Sequence, residues 1–338
     1  MDAVSIELIT SYVVFYTSYV ILVLGNIGCI CNFITFTTKQ LRQSSCGWYF
    51  LMSALFDFLC INFGLFTKLE TEHYGSTLQD TNRVWCRIRI FFTWVLPCFA
   101  TGYLVLASID RCLSTSTNTR LRSFSQIKVA HRMTWVPIIL YTLTTSHQFF
   151  YYDLRPTCSP LPGTYVYFLS LYSIIWTSLI PQSAMLIFGL ITYYNVRKSH
   201  KRVVRLLEQQ RNRTDSQLIT ITLVQVLCSS ILLNIRTIYF SYIRFSTGIT
   251  RDNYRYAVET LILQISSLIF YINFSKSFFI NTLASKLFRK VFKERLITFY
   301  QRITWWKVRV YPTLTTRTDQ TELATVTLKE NIALPPMS

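Results

Sequence analysis

The chain alternates long apolar runs with short polar connectors. Crossing a bilayer takes a helix of about 20 predominantly apolar residues. Seven runs reach that length: Tyr12–Thr38, Gly47–Thr67, Ile90–Ser114, Met133–Tyr152, Thr164–Val196, Gln217–Tyr242 and Ala257–Asn281. A soluble helical bundle would carry a polar face at helical period along each run, and these runs lack one. The pattern predicts an all-α integral membrane protein, a bundle of seven transmembrane helices over residues 12–281 behind a short tail, residues 1–11. After the last run, "TLASKLFRKVFKERL" spaces Leu283, Leu287, Phe288, Val291 and Phe292 at helical period with Lys and Arg between them. Such a short amphipathic helix, over residues 282–300, is expected to lie on an anionic membrane surface. Residues 301–338 become Thr-rich and nearly free of aromatics from Pro312, the composition of a disordered tail. Within it Trp305 and Trp306 are candidate interface anchors, and Thr313, Thr315, Thr316, Thr318 and Thr321 are either kinase acceptors or simply solvated.

Composition sharpens this reading. Only 15% of the 338 residues are charged, against about 25% in a typical soluble domain. The net charge of +18 would by itself admit a nucleic-acid partner, but its placement argues against one. Basic residues crowd alternate connectors: Lys39 and Arg42 in the first, Arg120, Arg122, Lys128 and Arg132 in the third. The fifth holds Arg197, Lys198, Lys201, Arg202, Arg205, Arg211 and Arg213. Eight more lie between Lys286 and Arg309. Lys/Arg excess marks the cytoplasmic side, so the N-terminus is expected outside and the C-terminus inside, in a multi-pass plasma-membrane protein. The first ten residues hold two acids and no base, unlike a cleavable leader, so the first span is expected to serve as its own insertion signal.

Nine cysteines are too few and too scattered for a disulfide scaffold. Cys29, Cys31, Cys60, Cys98 and Cys228 fall within spans, where packing is the default role. Cys86 and Cys158 fall outside, in an oxidising compartment. A bridge between them would pin the second outer loop across the mouth of the bundle.

Candidate chemistry gathers on the third span. Ile90 to Ile109 runs without a charge, and then Asp110 and Arg111 stand side by side. At about 1.5 Å rise per residue, the helix from Cys86 to Arg111 covers roughly 37 Å, so the pair sits at the inner edge. It is either an ion-pair lock that helix movement can break or a snorkelling arginine at the boundary. Asp57 lies near mid-bilayer, where an acid costs about 2.5–3.5 kcal/mol on insertion scales and usually faces interior partners. Asn26 and Asn273 are the expected partners, with Ser277 nearby.

These residues, taken in order, resemble the rhodopsin-like (class A) family of G-protein-coupled receptors. The resemblance covers nearly the whole chain. It runs through Asn26 in "GNIGCICNF", Asp57 in "LMSALFDFL", Cys86, Asp110-Arg111-Cys112, Trp135, Pro181 and "SKLFRKVF". It implies a bundle that binds an extracellular ligand and activates a heterotrimeric G protein through the Asp110, Arg111, Cys112 switch. No catalytic residue or cofactor is implied, apart from a sodium ion as allosteric modulator at Asp57. The alternative there is a purely structural hydrogen-bond cluster. The departures are specific. Ala100 stands where the family commonly has serine, Cys112 replaces a tyrosine, and "CSSI" from Cys228 has neither the tryptophan nor the proline of span six. "SFFIN", Ser277 to Asn281, lacks all three signature residues of span seven. The resemblance therefore implies a divergent member, or one with weakened signalling.

The ligand is less constrained. An amine receptor would need an acid where Thr93 stands, and a light receptor a lysine where Tyr271 stands, Lys276 lying half a helix too deep. Near the outer mouth remain Arg89, His147, Asn234, Arg236, Glu259 and Gln264. Arg236 suits an acidic group or peptide carbonyls, or else pairs with Glu259. A short neuropeptide is the expected ligand. A transporter or channel would show broken helices or paired acids in two matching halves, and no such repeat is present. An enzyme would need a metal-ligand cluster, a nucleophile motif or paired carboxylates at bilayer depth, and none is present. An orphan or non-signalling relative stays open because of the lost motifs.

Overall fold

The computed structural model describes residues 3–199, 206–246, 250 and 252–310. Thr313, Thr315, Thr316, Thr318 and Thr321 lie outside the described residues, as do the side chains of Trp305 and Trp306. The chain divides into two compact units, Met1–Phe292 and Lys293–Ser338. In the second, the Lys286–Val310 helix continues, and the Thr298 hydroxyl donates back to the Glu294 carbonyl at 2.8 Å.

The first unit is almost wholly helical. Among the described residues six helices are long and apolar enough to cross a membrane: Ala3–Phe36, Ser45–Glu72, Arg83–Thr115, Thr164–Lys198, Gln217–Ile243 and Asn253–Ser275. Their outward faces carry large apolar side chains, such as Leu190 at 67% exposure and Ile238 at 69%. That is costly in water and natural against lipid tails. By length and composition these helices suit a multi-pass membrane protein.

The remaining apolar run behaves differently. Residues 127–151 run as Ile127–Met133, Trp135–Thr145 and His147–Tyr151, helical segments whose bonding is interrupted locally at Thr134 and Ser146. Pro137 has no N–H to give the carbonyl four residues back, so one bond of the turn around Thr134 is missing. Thr134 and Ser146 nevertheless keep right-handed helical dihedrals, and their N–H groups bond to the Ala130 and Thr142 carbonyls. Pro137, Tyr141 and Thr145 form the buried stripe of this run. Trp135, about 200° away at 100° per residue, is 62% exposed.

Two other helices carry π-turns. Ser173–Leu179 is a π-helical turn just before Pro181, and Cys60–Leu65 is a second in the Ser45–Glu72 span. π-Turns of this kind shift the register of the following side chains. In the second, Gly64 lets Tyr271 approach; an added Cβ would stand 2.8 Å from the tyrosine hydroxyl.

The Arg83–Thr115 helix is the axis of the bundle. Tyr103, Val95 and Ala107 on it are fully buried, and it packs against Ser45–Leu59, Ile180–Ser199 and Trp135–Thr145. At one end a hairpin, Tyr152–Leu154 paired with Cys158–Pro160, is joined to it by a disulfide from Cys158 to Cys86, Cα atoms 5.7 Å apart. At the other end the Ser277–Ala284 helix stops at extended Ser285, whose hydroxyl donates to Gln217 at 2.7 Å and caps Phe288 at 3.1 Å. Phe288 and Val291 are buried there, while Leu283 belongs to the preceding helix and is 81% exposed. The expected apolar face therefore begins at Leu287, because the break at Ser285 rotates Leu283 out of register.

Candidate functional site

Functional polarity is concentrated at three depths along the bundle. At the Arg111 end, Asp110 and Arg111 are both buried and in contact, Oδ2 to Nη2 at 2.6 Å and to Nε at 3.1 Å. A forked guanidinium-to-carboxylate contact is among the stronger protein hydrogen bonds. The second carboxylate oxygen accepts the Ser125 hydroxyl at 2.7 Å, and Ser125 lies 3.3 Å from Ser45. Asp110 is thus held both by its own helix and by the connector that follows it. Cys112 is half-buried beside them.

Mid-bundle, Asp57 is buried at 4% exposure. Lys276 and Ser277 are among the groups that act on it electrostatically, and Lys276 carries an ammonium with hydrogen bonds of its own. That ammonium donates to Ser229 Oγ at 2.9 Å, to Asn273 Oδ1 at 2.6 Å and to the Asn273 carbonyl at 2.9 Å. Asn273 is thus tied to Lys276, and Ser277 follows that lysine in the chain. Asn26 is engaged elsewhere. Its amide donates to Asn62 at 3.2 Å and accepts from it at 2.7 Å, while also donating to the Leu22 carbonyl. The two amides satisfy each other, leaving no donor of Asn26 for the acid; the first-helix group beside Asp57 is the Cys29 thiol.

A second buried network lies one step towards the Arg111 end. Gln225 donates to Asn281 at 3.0 Å and to the Ser277 carbonyl at 3.0 Å, and Asn281 donates to Asn32 at 3.1 Å. Asn32, Gln225 and Asn281 are essentially inaccessible, and they tie three helices together. Sequence reading singled out none of these contacts. The signal available was a polar amide in each of three apolar runs, which does not say who meets whom. Ser53 donates to the Ala100 carbonyl at 3.2 Å, so a backbone oxygen takes up a hydroxyl near the missing serine.

At the Cys86 end two cavities open. One, about 170 Å³, is lined by Thr93, Trp94, Arg236, Phe240, Tyr271 and neighbours. The Arg236 guanidinium stands 5.3 Å from the Phe240 ring centre and 3.4 Å from Ser266. The other, about 290 Å³, is lined by Glu7, Glu72, His73, Gln264 and others. Between them Lys68, buried at 8% exposure, pairs with Glu72 at 3.4 Å and donates to Gln264. Arg89 donates to Gln79, the Thr67 carbonyl and Thr71. Of the residues expected near a ligand, Thr93 and Arg236 share one cavity and Gln264 lines the other. His147 and Asn234 line neither. His147 contacts the Tyr165 hydroxyl at 2.7 Å among aromatic rings, and Asn234 donates to Gln182 at 2.6 Å across a helix interface. Glu259 is held by Arg255 at 2.8 Å and by the Tyr242 hydroxyl at 3.0 Å.

Outside the spans, Asp153 on the hairpin meets Arg83 at 2.7 Å and Arg87 at 3.6 Å. The backbone N–H of Leu154, then these two guanidinium groups, hold its carboxyl below the ordinary carboxylate range. Asp80 accepts the Cys158 N–H at 2.8 Å, a further tie between connector and hairpin.

Among the described residues no group of three or more His, Cys, Asp and Glu side chains is placed to hold a metal ion. No protein-family model matches the chain, and no curated protein matches it.

Proposed function

We propose that the chain is a divergent rhodopsin-like receptor that binds an extracellular ligand and activates a heterotrimeric G protein from the plasma membrane. The observation that carries this reading is the buried Asp110–Arg111 pair, which ends the same helix that Cys86 begins. A buried ion pair at a helix end, also tied to a connector, can have two arrangements, made or broken. A ligand that favours one shifts the population towards it. On this reading the helical run of residues 127–151 counts as the seventh span. Alternating basic connectors then place the N-terminus outside and the Arg111 end towards the cell interior.

The ligand cavity on this reading is the one holding Thr93 and Arg236. Its lining pairs an arginine with aromatic rings, which suits a short peptide offering an acidic group or carbonyl oxygens to the guanidinium. Arg236→Ala is the variant that tests its role in binding.

The decisive test of coupling is Arg111→Ala. Surface expression is expected to persist while agonist-driven G-protein activation is lost, read by calcium and cyclic-nucleotide signals after a peptide-library screen. Retained coupling would contradict the switch. A second reading, a non-signalling relative, is favoured by one observation: the Leu206–Phe245 helix runs 40 residues without a proline to bend it. No G-protein response to any ligand that binds the wild-type chain would select it.

A further inference from the structure

We propose that the cavity holding Arg236 is built for a compact aromatic acid, a ring carried within one residue's length of a free carboxylate. The proposal rests on the receptor reading only in taking this cavity as the ligand site, and it names the chemistry that fits there.

The hydroxyls of the lining fall into two groups. Four threonines give their protons to backbone carbonyls of their own helices: Thr93 to Arg89 at 2.7 Å, Thr101 to Pro97 at 2.9 Å, Thr177 to Ser173 at 2.8 Å and Thr237 to Leu233 at 3.0 Å. Those donors are engaged. Ser173, Ser267 and Tyr271 line the same cavity, and their hydroxyls make no hydrogen bond among the described residues. Ser173 and Tyr271 are only 6% and 5% exposed. A buried hydroxyl without a partner is costly, and an acceptor atom placed in the cavity removes that cost. The Trp94 indole N–H, a donor only, also lines it without a bond among the described residues.

Charge gives the sign of the ligand. Arg236 is the one charged side chain in the described lining, which holds no carboxylate. Its guanidinium is stationed between the Phe240 ring, 5.3 Å from the centroid, and Ser266 on another helix at 3.4 Å. An ammonium entering there would meet a permanent like charge where solvent screens it poorly. A carboxylate would meet a cation and a set of N–H and O–H donors.

Shape supplies the rest. Trp94, Phe240, Phe270, Tyr271 and Phe274 contribute rings to the lining, so an aromatic body packs well against it. The volume is about 170 Å³, below the roughly 300–1,000 Å³ of pockets that hold drug-sized ligands. One aromatic residue with its acid fits that space, and a folded peptide does not. Such a group has two sources: a free aryl acid, or the carboxy-terminal residue of a peptide that is not amidated.

Thermal melts of the purified full chain in lipid nanodiscs test this at neutral pH. The probes are 3-phenylpropionate, 3-phenylpropionamide, phenethylamine, and glycyl-glycyl-phenylalanine as free acid and as amide. The acids are expected to raise the melting temperature saturably, and the amides and the amine to leave it unchanged. A rise with 3-phenylpropionate alone supports the proposal with a free acid as the source. A rise with the tripeptide acid, with or without the smaller one, supports it with a peptide terminus as the source. An amide or amine that binds as well as the acids overturns it, and so does the absence of a rise with either acid. These comparisons need no variant. Arg236→Gln is expected to weaken acid binding about tenfold or more, and Arg236→Lys to recover part of the loss; acid binding unchanged in Arg236→Gln overturns the role of the charge. No melt reads coupling. Acids that fail to bind therefore sink this proposal and leave the Arg111 switch to its own test, whereas lost coupling with the acid shifts intact does the reverse.

Discussion

Two acid–base sets sit in this bundle, and they are built in opposite ways. Asp110 and Arg111 are neighbours in sequence, touch directly at 2.6 Å, and lie at one end of a single helix. Asp57 and Lys276 come from helices far apart in sequence; Asp57 is buried, and the Lys276 ammonium donates to Ser229 and Asn273. The first can be opened by moving one connector. The second changes only when helices move against each other. Depth sets the difference: near the membrane edge a freed charge finds water and headgroups, while mid-bundle it finds neither. A direct contact at the edge is tied to one connector, and the Lys276 contacts at the centre fasten one helix to another.

The largest effect expected of any single change follows from that contrast. Removing one partner of a buried charge pair typically costs about 3–5 kcal/mol, because the other is left uncompensated. Asp57→Asn removes the buried acid that acts on the Lys276 ammonium and is expected to fall in this range in a denaturation series. Arg111→Ala likewise leaves a buried carboxylate without its partner, offset in part by the Ser125 bond that Asp110 keeps. Equal losses at the two sites would remove the distinction between edge and centre.

Next comes the disulfide, which fastens the opposite end. Cys86 and Cys158 are 72 residues apart, and a cross-link over a loop of that size typically contributes about 2–4 kcal/mol. Cys86→Ser and Cys158→Ser should each lose that much stability or the corresponding share of ligand binding. The double variant should be no worse than either single one. Additive losses would show that the two sulfurs act separately.

A smaller effect sharpens the edge pair. Ser125 donates to Asp110 at 2.7 Å, and a hydrogen bond to a charged group contributes about 1.5–3 kcal/mol. Ser125→Ala loosens the connector while leaving the Asp110–Arg111 contact intact. In a receptor it should raise ligand-independent signalling, measured as basal cyclic-nucleotide or calcium output. Unchanged basal output would place the constraint on Asp110 elsewhere.

How much of this could be read from the chain depended on distance along it. Asp110–Arg111 was legible because adjacent charges at the end of an uncharged run have few other uses. Cys86 and Cys158 stood out by lying outside the runs that hold most of the other cysteines. The Met133–Tyr152 run was legible as apolar but its local interruption was not, since hydropathy does not register the carbonyl that Pro137 leaves unbonded. The Asp57 partners were only half legible. In a membrane bundle both the lipid face and the core face are apolar, so periodicity does not reveal which face Asn26, Asn62 or Lys276 occupies. Lys276 reads as too deep for a ligand-binding lysine, and that depth puts it in reach of Ser229 and Asn273. Lys68 and Gln225 were missed for the same reason, as single polar residues whose direction the sequence does not state.

The hairpin provides the smallest effect and closes the series at the solvent-facing extreme. Asp153 has its carboxyl held below the usual range by the Leu154 N–H and by Arg83 and Arg87. A carboxylate whose folded pKa is depressed contributes stability above its unfolded value, near 3.9. That contribution is lost as pH falls through the lower folded value. Wild-type stability should therefore exceed that of Asp153→Asn by a small margin at neutral pH, and the two should converge only in strong acid. Exposed ion pairs are also screened by salt, so raising ionic strength at neutral pH should narrow the same margin, while the Asp57–Lys276 contribution stays nearly constant. If salt instead weakened both equally, the central cluster would have to be open to solvent, and the contrast between a sealed centre and a wet end would fail.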